Sequence, residues 1–116
     1  MAGQMNRRQV QLAENGEVVA VADIQALMDG ALVRATLHPE SGHLPRGTRR
    51  RLVDVVLDLP EARGGDRLEA TLPLGDAESL ERLRERCHDM EARPAGATCL
   101  VDAALPRSAA GGRKPA

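Results

Sequence analysis

Apolar and polar residues alternate along several short stretches of the chain, and two of those stretches share a core. Leu32-Val33-Arg34-Ala35-Thr36-Leu37 and Arg67-Leu68-Glu69-Ala70-Thr71-Leu72 carry Ala-Thr-Leu at the same phase. A period of two reads as a strand with one buried side. Over residues 31–38 it puts Val33, Ala35 and Leu37 on one side, with Arg34, Thr36 and His38 on the other. Over residues 66–74 it sets Leu68, Ala70, Leu72 and Leu74 against Arg67, Glu69, Thr71 and Pro73. A further strand is predicted over residues 97–105, where Cys99, Val101, Ala103 and Leu105 fall in phase. Upstream, residues 9–13 and 17–22 flank Asn15-Gly16. That pair tolerates positive φ at both central positions of a tight turn, so an N-terminal β-hairpin is predicted.

Spacings of three and four predict the helices. Thr48 reads as the N-cap of a helix with apolar positions Leu52, Val55, Val56 and Leu59, stopped by Pro60. Residues 53–59 are β-branched enough to tolerate a strand, but Arg50, Asp54 and Asp58 lie four apart and favour the helix. Asp76 reads as the N-cap of a second helix, with Glu78 opposing the dipole in its first turn. Its stripe is Leu80, Leu83, Cys87 and Met90, its exposed pair is Glu78 with Arg82, and Pro94-Ala95-Gly96 breaks it. A short helix carrying Ile24, Leu27 and Met28 is expected between Asp23 as cap and Gly30 as terminator.

Strands buried on both sides read as continuous apolar runs. These alternate, so helices cover one face of the sheet and the other face is polar. The fold class expected is α+β, a two-layer α/β sandwich of ferredoxin-like or related split βαβ type, with an N-terminal β-hairpin. Residues 1–8 carry no pattern, residues 9–105 form a single α/β domain, and residues 106–116 read as a small, basic, disordered tail.

Composition adds three points. The chain has 116 residues, enough for one core, and contains no Phe, Tyr or Trp. A core of Leu, Val, Ala and Met gains roughly 1.5–3 kcal/mol per large aliphatic side chain buried, which predicts a lean monomer that gains from self-association. Sixteen basic and seventeen acidic residues nearly cancel, so no bulk field draws the protein to nucleic acid or a membrane. Basic residues nonetheless dominate residues 31–60, and acidic ones residues 61–91. Abundant Ala, and Arg in place of Lys, read as a GC-rich bacterial coding bias. Cys87 and Cys99 fall at apolar phases and read as buried thiols in a cytoplasmic protein. Neither a spanning apolar run nor a signal peptide is predicted.

Chemistry has three places to reside. In His38-Pro39-Glu40-Ser41-Gly42-His43 two imidazoles and a carboxylate match a zinc donor set. The spacing is not the helical His-Glu-x-x-His, and Pro39 and Gly42 oppose a helix, so a polar loop without metal is the preferred reading. Arg46, Arg49, Arg50 and Arg51 surround a predicted helix start, where unpaired N–H groups and the dipole favour an anion. The lack of aromatics argues against stacking of single-stranded bases there. Arg34, Thr36, Arg67, Glu69 and Thr71, with His38, Leu100 and Asp102, form the polar sheet face, suited to a ligand or a second copy unless the hairpin folds over it. Cys87 and His88 are adjacent on a predicted helix and diverge by about 100°, so they make no nucleophile–base pair. Ser41, Ser79 and Ser108 have no nucleophile-elbow context, and no glycine-rich nucleotide loop is present.

These readings favour a non-catalytic binding or regulatory module, not an enzyme, acting through self-association as a homodimer or through a protein partner, without a cofactor. Nucleic-acid or other polyanion binding through the Arg cluster ranks second. A metal-dependent enzyme using His38, Glu40 and His43 ranks third.

Overall fold

The computed structural model describes residues 5–27, 31–39 and 44–106. In chain order the elements are β1 (Met5–Glu14), β2 (Glu17–Leu27), β3 (Leu32–Pro39), α1 (Thr48–Leu57), α2 (Pro60–Arg63), β4 (Arg67–Pro73), α3 (Ala77–Arg86), β5 (His88–Ala95) and β6 (Thr98–Ala104). They build one six-stranded sheet in the order β1-β2-β3-β4-β6-β5. β3 and β4 run parallel and are direct neighbours, while every other adjacent pair is antiparallel.

The alternation does what it predicts. Val33, Ala35 and Leu37 of β3 are buried, as are Leu68, Ala70 and Leu72 of β4 and Val101 and Ala103 of β6. They form one core with Leu52, Val53, Val56 and Leu57 of α1 and Leu83 of α3. The opposite face stays open: the side chains of Arg34, Arg67 and Asp102 remain 54%, 47% and 55% exposed. The fold is thus a two-layer α+β sandwich with helices on one face of the sheet. At the crossover into β4 the backbone passes so close to the core that a Cβ on Gly65 would lie 2.8 Å from Val33 and 2.9 Å from Leu105.

Several elements differ from the sequence reading, each for a packing reason. The hairpin turns at Asn15 and Gly16, both at positive φ as anticipated. β1, however, begins at Met5, inside the stretch read as patternless, and β2 continues to Leu27 instead of giving way to a helix after Asp23. Ala20, Ala22, Ile24 and Ala26 are all buried, so the period of two runs on and β2 pairs on both edges. The hairpin extends the sheet at its edge and does not cover the polar face.

Residues 53–57 are helical, as preferred, but Gly47 and not Thr48 is the N-cap of α1. Pro60 does not simply stop the helix; it opens the short α2 at its first position, where a missing N–H costs nothing. α3 starts at Asp76 as read but ends at Arg86, and the residues read as its last two turns form β5. Pro94-Ala95-Gly96 therefore belongs to a β5–β6 hairpin, with Gly96 at φ 65. Met28 and Gly30 lie outside the described residues. Among the described residues no helix is long and apolar enough to cross a membrane.

Candidate active site

The parallel pair at the centre of the sheet comes apart at one end. β3 and β4 are in register only from Leu32↔Arg67 to Thr36↔Thr71. β3 stays paired with β2 as far as Pro39, and β4 stays paired with β6 as far as Pro73. Beyond Thr36 and Thr71, each strand thus keeps its outer neighbour and loses its inner one. The gap lies at the carboxyl ends of two parallel strands, the place where open α/β sheets bind ligands.

Both long helices begin at this gap. α3 starts three residues after β4, with the N–H of Asp76 bonded to the carbonyl of Pro73 at 3.1 Å. α1 is brought beside it by two contacts: Arg49 pairs with Asp76 at 3.2 Å, and the N–H of Arg50 donates to Glu78 Oε2 at 3.1 Å. Gly47 caps α1 at φ 93, with open space where a Cβ would stand. Thr48, at the first helical position, is buried, and its Oγ1 has no hydrogen-bond partner. A hollow of about 270 Å³, lined by Arg49, Leu74, Gly75, Asp76 and Glu78, adjoins these contacts.

The four arginines of the predicted anion site are not equivalent. Arg49 is held by Asp76, Arg50 reaches Glu85 at 3.2 Å, and Arg51 bonds Glu14 at 2.5 Å. Arg46 is exposed and makes no ion pair among the described residues. Among the described residues the cluster therefore presents one free cation, Arg46, beside three arginines that carboxylates already engage.

Further along the same two helices, Asp54 accepts from Arg82 Nε at 2.7 Å and from Arg86 at 3.1 Å, and Arg86 also reaches Asp58 at 3.0 Å. Burial acts to raise the Asp54 pKa, but the Arg82 and Arg86 hydrogen bonds outweigh it and hold the carboxyl below its ordinary value. Hydrogen bonds from Arg82 and then Arg50 likewise lower that of Glu85. The seam ties α1 to α3 and so fixes their starts relative to each other. It replaces the pairings read from sequence within each helix, Arg50 with Asp54 and Glu78 with Arg82. Cys87 and Cys99 are free thiols; burial pushes the Cys87 thiol up, away from reactivity.

The open face carries two shallow cavities that share Thr36. A trough of about 620 Å³ is lined by Arg34, Thr36, Glu69, Thr71, Arg93 and Asp102, among others. Arg34 is paired with Glu69 at 2.9 Å and Arg67 with Asp102 at 2.6 Å, so the residues read as an interaction face come together, largely neutralised. Beside it a hollow of about 530 Å³ includes Gln9, Asp23, Thr36 and His38. Here His38 Nε2 lies 3.2 Å from Asp23 Oδ2, and Gln9 Nε2 donates to the other oxygen, Oδ1, at 3.1 Å. Three strands supply this group, because Gln9 lies opposite Asp23 and Asp23 opposite Thr36, two residues before His38.

Of the proposed zinc donors, His38 is thus engaged with Asp23, while Glu40 and His43 lie outside the described residues. No group of three metal-ligating side chains occurs among the described residues. Sequence reasoning missed Asp23 and Gln9. The signal was available: continuing the alternation of Ala20 and Ala22 through Ile24 and Ala26 places Asp23 on the same face as His38.

No protein-family model matches the chain, and no curated protein matches it in sequence. Solved structures do match in shape. The GNAT domain of S. lividans PAT superposes with a TM-score of 0.59 at 13% identity, over 85% of this chain and 61% of that one. The protein yncA of Salmonella typhimurium, described as an acetyltransferase and solved with its cofactor acetyl-CoA, gives 0.58 at 20% identity, over 85% and 64%. A GNAT superfamily phosphinothricin acetyltransferase from Sinorhizobium meliloti, in complex with AcCoA, gives 0.59 at 18% identity, over 95% and 66%. These likenesses overturn the reading of the chain as a non-catalytic module, with the protein-interaction and homodimer roles attached to it and its second and third alternatives. At these identities what is shared is the fold, and the chain spans about three-fifths to two-thirds of the length of these three structures.

Proposed function

We propose that this protein is an acetyl-CoA-dependent N-acetyltransferase. The observation that carries the reading is the parting of β3 from β4 with the start of α1 at its mouth. Two portions of CoA suit such a place. The diphosphate suits the start of α1, where the dipole, the first-turn N–H groups and Arg46 and Arg49 favour an oxyanion. Glu78 Oε2 already rests on one of those N–H groups, so a diphosphate shares or displaces it. Thr48 Oγ1 is a buried hydroxyl left over beside the same turn, a polar atom in need of a partner. The pantetheine arm carries amides, and the inner edges of residues 37–39 and 72–73, which do not pair with each other, offer an extended chain the hydrogen bonds of a missing strand.

When bound, acetyl-CoA supplies a thioester carbonyl for an amine nitrogen to attack and a thiol as leaving group. The chain's part is to seat the diphosphate at α1, to hold the arm extended between β3 and β4, and to leave the open face at Thr36 and Thr71 for the acceptor. A cytoplasmic setting goes with this reading.

Isothermal titration with acetyl-CoA is the test. Binding is expected, and at a hundredfold excess over Kd the native state gains about 2.7 kcal/mol, seen as a rise in melting temperature. No heat of binding and no rise in melting temperature with millimolar acetyl-CoA overturns the proposal.

A further inference from the structure

An aliphatic amine is an ammonium at neutral pH and has no lone pair with which to attack, so an N-acetyltransferase must remove a proton. His38 stands two residues beyond Thr36, the last residue of β3 paired with β4, and on the open face. Its Nε2 faces Asp23 Oδ2 at 3.2 Å, and Gln9 fixes that carboxylate through its other oxygen. A neutral ring that keeps its proton on Nε2, toward the Asp23 carboxylate, carries its lone pair on Nδ1. A half-exposed His–Asp contact adds little stability, so its position at the lip of the gap calls for another explanation.

We propose that His38, oriented by Asp23, is the catalytic base for a primary aliphatic amine bound on the open face. This inference rests on the acetyltransferase reading. Nδ1 takes one proton from the ammonium, and the freed nitrogen bonds to the thioester carbonyl carbon. The C–S bond breaks, the sulfur leaves with a second proton from that nitrogen, and His38 returns its own proton to water. In the adjoining trough Glu69 and Asp102 are taken up by Arg34 and Arg67, which leaves the Glu91 carboxylate to favour a cationic acceptor.

The test uses the full chain with acetyl-CoA and 1,4-diaminobutane, following thiol release. His38→Ala is expected to lower kcat by about 10²–10⁴ while the Kd for acetyl-CoA stays within about twofold, and added imidazole is expected to recover part of the rate. Two-bond proton–nitrogen spectra are expected to show His38 protonated on Nε2 in the wild type, with Asp23→Asn shifting the tautomer. An undiminished kcat in His38→Ala, or an Nδ1-protonated ring in the wild type, overturns the assignment. A wild type that binds acetyl-CoA but leaves the diamine unacetylated overturns the amine-base role while the cofactor reading stands. A wild type that does not bind acetyl-CoA overturns the acetyltransferase reading itself.

Discussion

The two long helices begin side by side, and their first turns are satisfied in opposite ways. α3 is closed by its own cap: Asp76 is buried and accepts from the N–H and hydroxyl of Ser79 at 3.1 and 2.7 Å. α1 starts from a left-handed glycine, has no side-chain cap and no acid in its first turn, and carries arginines there. A cation at a helix start opposes the dipole by about 0.3–1 kcal/mol. One start is arranged for stability. The other holds its arginines by ion pairs to Asp76, Glu85 and Glu14, and it is the one with a buried, unpartnered hydroxyl at the mouth of the strand gap. The difference is in keeping with the ligand site proposed at α1.

Three changes sharpen or break this comparison. Asp76→Ala has the largest effect: it removes the cap of α3 and the partner of Arg49 in one step. A loss of roughly 2–3 kcal/mol in urea unfolding is expected, from a cap of about 1 kcal/mol plus buried charge-assisted bonds. An unchanged unfolding midpoint would show that α3 does not depend on its cap.

Asp54→Asn tests the seam that holds the two starts together, with an expected cost of roughly 1–2 kcal/mol at pH 7. Asp54 and Glu85 have pKa values below their ordinary 3.8 and 4.5 in the folded protein. Folding therefore disfavours their protonated forms. Their stabilisation is present above those ordinary values and is lost as pH falls through the lowered ones. In Asp54→Asn the acid limb of the stability–pH curve below about pH 4 is expected to flatten. A limb identical to that of the wild type would place the acid sensitivity elsewhere.

Glu78→Gln has the smallest effect. It keeps an acceptor on the Arg50 N–H and removes a negative charge that a diphosphate must share space with. Acetyl-CoA is expected to bind about two- to fivefold more tightly by calorimetry, the equivalent of 0.3–1 kcal/mol at a helix start. Weaker binding would show that Glu78 helps to build the site instead of competing for it.

Much of the frame was legible before any coordinates. The alternation in β3, β4 and β6 predicted the buried side of each strand and the polar face opposite, and Asp76 announced the start of α3. β5 was not legible, because its residues are exposed on both sides apart from the half-buried Met90. A strand with no buried face leaves no period of two to find, and Cys87 and Met90 happened to continue the helical stripe. The start of α1 was nearly right: Thr48 is a good cap by residue type, but Gly47 reaches the left-handed conformation that the turn requires.

What the sequence by itself determined is local: which side of each strand is apolar, where a tight turn can form, and which residues can cap a helix. These follow from periods of two to four residues and from the φ preferences of single positions. Only the tertiary structure decided that β3 leaves β4 after Thr36, that two helix starts meet there, and that Gln9, Asp23 and His38 form a line. Each depends on the register between segments far apart in the chain, as in the Arg34–Glu69 pair across 35 positions. Such a register is settled by the packing of the whole apolar face, and no short window of residues encodes it.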